Sequence, residues 1–196
     1  MLPSYDKNKR KKNFEALPKG AYVIKIMNAV EKPTKNNNGT YLEISFDIAE
    51  GEYEGYYEKQ YKANTNEDKK WSYDAVYRLN VPTDDSKPFI WDNWNTFFAD
   101  LEDSNGGFVF AGDTKSLRNK LIGGKFHIEQ TSYNGNIYNH TRMKWTCVAD
   151  DVRNNRAGRM PEDKLITADL SPKAATGSDG WLSVPEGVTD DELPFG

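Results

Sequence analysis

Rings and positive charges alternate along residues 137–149, a segment whose composition favours a β-strand. Successive side chains of a strand point to opposite faces, so one face is expected to present Tyr138, His140, Arg142 and Lys144. The same rule places Met143, Trp145 and Cys147 on the other face. Rings on which bases can stack, beside cations that can pair with phosphates, suit a single-stranded nucleic acid.

Two further segments combine rings with cations. Residues 56–62 are predicted as a third strand, whose outward stripe consists of Tyr57, Lys59 and Tyr61. A basic and aromatic cluster in residues 63–90 consists of Lys69, Lys70, Trp71, Tyr73, Tyr77 and Arg78. Tyr41 is expected on the outward face of the second strand. For each stripe the alternative is a solvated face rich in Tyr for its strand propensity, but the recurrence in three segments favours nucleic-acid binding.

These residues must be positioned by a sheet. Residues 21–31 and 41–48 read as the first two strands, and in the second the side chains of Leu42, Ile44, Phe46 and Ile48 alternate towards a core. A helix is predicted where large apolar residues recur at helical spacing, ending at residues 105–107: Trp91, Trp94, Phe97, Phe98 and Leu101. We assign that apolar face to the core.

The rest of the body is predicted as a short helix and a hairpin. The helix covers residues 114–122, with Asp113 or Thr114 as its cap and Gly123-Gly124 as its end. Residues 125–133 and 136–149 form a hairpin around Asn134-Gly135, because a type I′ turn needs positive φ at both central residues.

The order of three strands, a helix and two strands predicts a mainly β protein. We expect an OB-fold-like five-stranded antiparallel barrel with one or two helices between strands 3 and 4, plus a flexible C-terminal tail. OB-folds bind oligonucleotides through strands 2 and 3 and two loops, which here are residues 32–40 and 133–136. Another small barrel or an α+β sheet is the alternative, and residues 63–90 are an insertion without an assigned structure.

Charge and composition divide the chain into four parts. Residues 1–19 form a basic leader with six Lys or Arg and two acids, including the run at 7–12, which could contact phosphates or be an ordinary frayed terminus. Residues 20–151 form the body. Residues 152–188 read as a Gly- and Pro-rich flexible linker, of which residues 160–170 could dock on the body, and residues 189–196 as an acidic tip.

Composition excludes several classes of protein. Cys147 is the single cysteine, so no intrachain disulfide can form, and with only His127 and His140 a structural zinc site is not expected. No segment resembles a membrane span or a secretory signal, so we expect no membrane partner and a location in the cytoplasm. Walker, HExxH and nucleophile-elbow motifs are absent, which argues against an enzyme and against a cofactor.

The C-terminal residues have the chemistry of a docking peptide: Asp190, Asp191, Glu192, Leu193, Pro194 and Phe195. Phe supplies apolar area, Pro limits the entropy lost on binding, and the acids attract a basic rim. The string resembles the acidic tip of bacterial single-stranded DNA-binding proteins, Asp-Asp-Asp-Ile-Pro-Phe, in which Phe is normally the last residue, whereas here Gly196 follows. The resemblance implies recruitment of replication or recombination proteins through this tip.

The body resembles the divergent single-stranded DNA-binding proteins of phages and prophages. The residues that carry this likeness are Tyr133-Asn134-Gly135, Tyr138-Asn139-His140-Thr141, Trp145 and Asp150-Asp151-Val152-Arg153. It implies a protein that covers single-stranded DNA in the cytoplasm of a bacterial host during replication or recombination, with homo-oligomers left open. The alternatives are a protein- or glycan-binding β-module of a phage particle, and a metal-dependent nuclease using Asp84-Asp85 or Asp150-Asp151.

Overall fold

A computed structural model describes Ser4 and residues 14–166. The predicted basic run at 7–12, most of the linker and the acidic tip lie outside these residues. No helix within the described part of the chain has the length and apolar character that crossing a membrane requires.

Five antiparallel strands form one sheet in the order β3-β2-β1-β4-β5. The strands are β1 (Gly20–Pro33), β2 (Thr40–Ile48), β3 (Val76–Asn80), β4 (Leu121–Tyr133) and β5 (Asn136–Cys147). This confirms a mainly β protein with a five-stranded antiparallel sheet. Strands β3 and β5 are its two edges, and no backbone pairing joins them among the described residues, so the predicted barrel is not confirmed.

The alternation predicted for β2 is confirmed. Its apolar side chains are all buried in the single core: Leu42, Ile44, Phe46 and Ile48. Asp47 lies between two of them and is buried too, at 4% exposure. Its carboxylate accepts hydrogen bonds from the backbone N–H groups of Ile48, Tyr57 and Glu58 at 2.8, 2.9 and 3.0 Å. A buried polar group must be paired in this way to offset the loss of water.

The predicted third strand at residues 56–62 is wrong, because this segment is helix α1 (Tyr56–Ala63). Asp47 binds the free N–H groups of its first turn, and Glu58 pairs with Lys62 one turn later at 2.8 Å. These contacts and the packing of Tyr57 against Phe46 outweigh the strand propensity of Tyr. The third strand is instead β3, inside the segment that had no assigned structure, and a 3₁₀ turn at Tyr73–Ala75 precedes it.

Helix α2 (Pro88–Ser104) confirms the predicted helix, and it ends at Asn105 as expected. Phe97, Phe98 and Leu101 are buried, whereas Trp91 is 39% exposed. The second predicted helix is only a 3₁₀ turn at Thr114–Leu117, in which the Asp113 carboxylate accepts from the N–H of Lys115. Gly123-Gly124 ends no helix, because both glycines lie inside β4.

These two glycines are required by packing. A Cβ atom on Gly123 would lie 2.7 Å from Cys147 Sγ and 2.8 Å from the Cys147 carbonyl oxygen, which is backbone and cannot turn aside. On Gly124 it would lie 2.8 Å from Met143 Sδ. Strand β5 and helix α3 (Ala149–Arg153) can therefore approach β4 closely only because it has no side chain there.

We expect Gly123→Ala to lower the free energy of unfolding by about 1–3 kcal/mol, because overpacking forces backbone or side chains to shift. The matched control is Gly106→Ala, since nothing lies within 4 Å of a Cβ atom at Gly106 and its φ is not positive. Urea unfolding of both variants measures the difference. Equal stabilities would show that β5 yields at this contact without cost.

The predicted hairpin is confirmed. Strands β4 and β5 pair from Gly123 with Cys147 to Tyr133 with Asn136. Asn134 and Gly135 have φ of 49° and 76°, the positive values that the turn requires.

The folded body extends beyond its predicted limits of 20 and 151. Leu17 is buried, and its carbonyl accepts from Thr141 Oγ1 at 2.5 Å. At the other end, Lys164 exchanges backbone hydrogen bonds with Ile128 and Gln130 along an edge of β4. The docking expected of residues 160–170 is thus seen as far as residue 166, and residues 152–166 belong to the body rather than to the linker.

Candidate nucleic-acid interface

An open groove of about 340 Å³ lies between the two edges of the sheet. The residues before and within β3 form one side, and β5 forms the other. The rings and cations that line it are Tyr73, Tyr77, Arg78, His127, Arg142, Lys144, Trp145 and Lys164. A second cavity of about 210 Å³ shares Tyr77, Asn93 and Trp145 with the groove, so the two adjoin.

A network of charges joins the groove walls. Arg142 of β5 pairs with Asp74, in the turn before β3, at 3.2 Å and with Glu129 of β4 at 3.1 Å. His140 contacts the Asp74 carboxylate at 3.2 Å through Nδ1 and the Thr131 hydroxyl at 3.0 Å through Nε2. Asp74 therefore connects β5 to the turn that precedes β3.

The acids of this network neutralise part of the predicted basic stripe. Lys164 pairs with Glu129 at 2.6 Å, so Asp74 and Glu129 together balance the charges of Arg142 and Lys164. Burial raises the pKa of Glu129, but the hydrogen bond from Lys164 and the charge of Arg142 more than offset it, and the net pKa is lowered. Glu129 is thus held as a carboxylate, and Arg142 is a positioned guanidinium rather than a free one.

Tyr73 is held by two guanidinium groups. Arg142 lies 4.6 Å and Arg78 lies 4.9 Å from the centre of its ring, and Arg78 also donates to its hydroxyl at 2.8 Å. Arg78 lies 5.6 Å from the Tyr41 ring as well and 3.6 Å from the Glu43 carboxylate. These cation–π contacts fix one edge of the groove and use faces of the Tyr73 ring that a base would need.

A β-bulge places Trp145 in the groove, so the prediction that it shares a face with Met143 is wrong. In the hairpin register Phe126 lies opposite Met143 and Lys125 lies opposite Trp145, so Lys144 is an extra residue. The extra residue interrupts the alternation, and Trp145 leaves the face of Met143. Met143 is buried, whereas Trp145 is 39% exposed and makes no ring contact within the described residues. Its indole is open to a ligand.

Lys144, the bulge residue, is exposed and lines the groove beside Trp145. Within the described part of the chain no carboxylate lies within 4.0 Å of its ammonium group. Lys144 thus offers the positive charge that Arg142, already bound by two acids, does not.

Tyr77 in the groove and Thr146 in the adjoining cavity are each held by a contact with α2. The ring of Tyr77 is stacked on that of Phe97 at 6.0 Å and 15°, and burial raises its pKa to about 12. Asp100 of α2 accepts a hydrogen bond from the Thr146 hydroxyl of β5 at 2.5 Å, and burial raises its pKa. Both contacts tie the lining to α2, and Tyr77 also packs against the core, which favours a preformed site.

The structure brings together only some of the predicted site residues. Tyr73, Arg142 and Lys144 line the groove, and His140 and Tyr41 touch residues of its wall. Tyr138 lies opposite Thr131, further along the hairpin, and is not part of the described lining. The predicted binding loops at 32–40 and 133–136 contribute no residue to it either.

The predicted stripe on residues 57–61 does not exist, because α1 is a helix. Tyr57 is 2% exposed in the core and cannot stack on a base. The Lys59 ammonium donates to the carbonyl of Glu54 at 2.6 Å. Tyr61 instead joins the other predicted cluster: its ring lies 5.7 Å from that of Trp71 and 4.8 Å from the Lys69 ammonium, and Lys70 is their neighbour in the chain. This second aromatic and basic cluster is separate from the groove lining.

Sequence reasoning missed Trp145, Asp74 and Glu129 as parts of the site. Asp74 follows Tyr73 in the sequence, so an acid within the predicted basic cluster could have indicated an ion pair there. No local signal marked the bulge, because it depends on the register with β4.

Two of the acids proposed as metal ligands of a nuclease, Asp150 and Asp151, form ion pairs. No group of three or more His, Cys, Asp or Glu side chains in the described ranges could hold a metal ion. Of the acids proposed for a nuclease, Asp150 pairs with Arg153 at 2.6 Å and Asp151 with Arg156 at 3.7 Å.

Comparison with known proteins gives a partial match to one family model and no activity. Residues 3–82 match a family described as "Protein of unknown function (DUF669)". The match spans β1, β2, α1 and β3, and it stops before α2 and the β4–β5 hairpin. No curated protein matches the chain significantly.

Proposed function

We propose that this protein binds single-stranded DNA in the groove between β3 and β5, by equilibrium binding without a cofactor or a chemical step. The observation that carries the proposal is the exposed Trp145 beside Lys144, whose ammonium no carboxylate of the described residues pairs with, in the groove between the sheet edges. A ring that is open to stacking and an adjacent free cation suit an unpaired base and its phosphate. A base inside a duplex has both faces covered, so single strands are expected to bind better.

The strand order supports the same proposal. A central β1 flanked by β2 and β4, with a helix between β3 and β4, is the order that we expect of an OB-fold. In this interpretation the two edges of a partly open barrel approach each other at the network formed by Asp74, Arg142 and His140. OB-folds commonly bind oligonucleotides.

The direct test is fluorescence anisotropy with a labelled dT oligomer, longer than the roughly 4–16 nucleotides that one OB-fold covers, against the matching duplex. We expect tighter binding of the single strand, and an affinity that falls as salt rises because counterions are released. Equal affinity for duplex, or no binding, contradicts the proposal. Binding that is insensitive to salt would favour a protein- or glycan-binding module instead.

We expect Lys144→Ala to reduce the slope of log K against log salt by about 0.7, the increment for one phosphate contact on a single strand. The matched control is Lys115→Ala, because Lys115 is also exposed and lies outside the groove lining. Titrations at several salt concentrations give the slopes. If both variants keep the slope of the natural chain, Lys144 does not contact a phosphate.

The second part of the proposal is that residues 190–195 of the acidic tip bind a partner protein. Its composition suits docking to a basic-rimmed pocket on replication or recombination proteins of a bacterial host, as its resemblance implies. The groove would hold the DNA, and the tip would bring the partner to it.

A further inference from the structure

Helix α2, which the sequence assigned to the core, also contributes a side chain to the groove. Asn93 lines both the groove and the adjoining cavity, and Thr96 lines the latter. Asp100 continues the same helix face, and its carboxylate binds Thr146 of β5. The spacing of three and four residues places these side chains on one side of the helix, and the contact with Thr146 shows that this side faces β5.

Phe89 lies one helical turn before Asn93, next to the residues that line the two cavities but not among them. It precedes Asn93 by four residues, so the two side chains are neighbours on one face. Phe89 is 56% exposed, and its ring contacts no other ring within the described residues. A large apolar ring left open beside a groove is a second surface on which a base can stack.

Asn93 presents an unused amide to the groove. The residue is exposed, and its side chain makes no hydrogen bond to any other described residue. An amide has a donor and an acceptor side by side, which complements the edge of an unpaired base. Trp145 lines the same two cavities, so a base stacked on the indole would have its edge near this amide.

We infer that α2 contacts the bases of the bound strand: Asn93 hydrogen-bonds the edge of the base that stacks on Trp145, and Phe89 stacks on a neighbouring base. The inference rests on the proposed function and says which residues contact the bases of the bound strand and which contact its backbone. Lys144 contacts the backbone, and α2 contacts the bases. Two residues of α2 that point elsewhere serve as controls. Trp91 lies about 200° around the helix from Phe89, and Asn95 lies about 200° from Asn93.

The test compares two probes of equal length, a dT oligomer and the same backbone with abasic sites. We expect Asn93→Ala and Phe89→Ala each to weaken binding of the dT oligomer about fivefold or more, the change equivalent to about 1 kcal/mol. Neither variant should alter binding of the abasic probe, because the contacts that it loses are contacts to bases. Asn95→Ala and Trp91→Ala should bind both probes as the natural chain does, and Lys144→Ala should weaken both.

Three results would overturn the inference. Asn93→Ala and Phe89→Ala could bind the dT oligomer normally while Lys144→Ala is impaired, in which case the groove binds DNA without help from α2 and the proposed function stands. They could weaken both probes equally, in which case α2 contacts the backbone. If the natural chain binds neither probe, the proposed function itself fails. Thermal unfolding of each variant identifies any that are simply misfolded, and Asn93→Ser then replaces Asn93→Ala.

Discussion

Replacing Trp145 with alanine is expected to weaken binding of single-stranded DNA about 5- to 150-fold, since stacking of one base on an aromatic ring contributes roughly 1–3 kcal/mol. The indole is the one groove ring, among the described residues, that combines substantial exposure with no ring or cation already against it. Tyr73 is held by Arg78 and Arg142, and Tyr77 is stacked on Phe97. Anisotropy with a dT oligomer measures the loss.

The control for this prediction is Trp91→Ala. Trp91 is also 39% exposed, so the two substitutions remove the same side chain at equal exposure, but Trp91 lies outside the groove lining. Comparable losses of affinity in both variants would mean that removal of any exposed Trp weakens DNA binding. Normal binding by Trp145→Ala would remove the principal support for the groove as the DNA site.

Asp47→Ala is expected to lower the free energy of unfolding by about 3 kcal/mol or more. The substitution removes the acceptor of the buried N–H groups of Ile48 and Tyr57 and of the part-buried N–H group of Glu58, and each buried group left unpaired costs about 1–3 kcal/mol. Because two of these groups begin α1, the helix should loosen before the sheet does, and the circular dichroism signal of helix should fall at lower urea than that of the sheet.

Two controls define the cause of this loss. Asp47→Asn retains one acceptor oxygen and is expected to have intermediate stability. Asp92→Ala removes an exposed carboxylate from α2 and should change the stability by less than about 0.5 kcal/mol. If Asp47→Ala unfolds at the same urea concentration as the natural chain, some other contact holds α1 as a helix.

Local patterns predicted the elements whose causes are local. The alternation in β2, the helical spacing of α2 and the Asn-Gly turn of the hairpin each depend on a few neighbouring residues, and all three were confirmed. The Tyr-rich segment of α1 misled the same reasoning, because its helix is stabilised by Asp47 from another element. Strand β3 was missed since it is short and lies in a polar segment, and pairing with β2 defines it.

For the site, the sequence predicted the kinds of residue but only part of their arrangement. Rings and cations on β5 and around Tyr73 were recognised from composition and spacing, and Tyr73, Arg142 and Lys144 do meet in one groove. Strict alternation could not foresee the bulge at Lys144, because an extra residue in one strand is visible only against its partner. The pairing of Arg142 with Asp74, 68 residues away, was equally hidden.

By itself the sequence determined a five-stranded antiparallel β protein with a central helix and with aromatic and basic side chains concentrated in a few segments, because periodicity and turn residues act over short distances. Only the tertiary structure decided which of those side chains remain free. Tyr57 is buried in the core, and Arg142 is bound in ion pairs. The bulge places Trp145 on the face away from Met143, beside Lys144. Exposure and charge compensation depend on contacts between residues far apart in the chain, and these exist only once the sheet has formed.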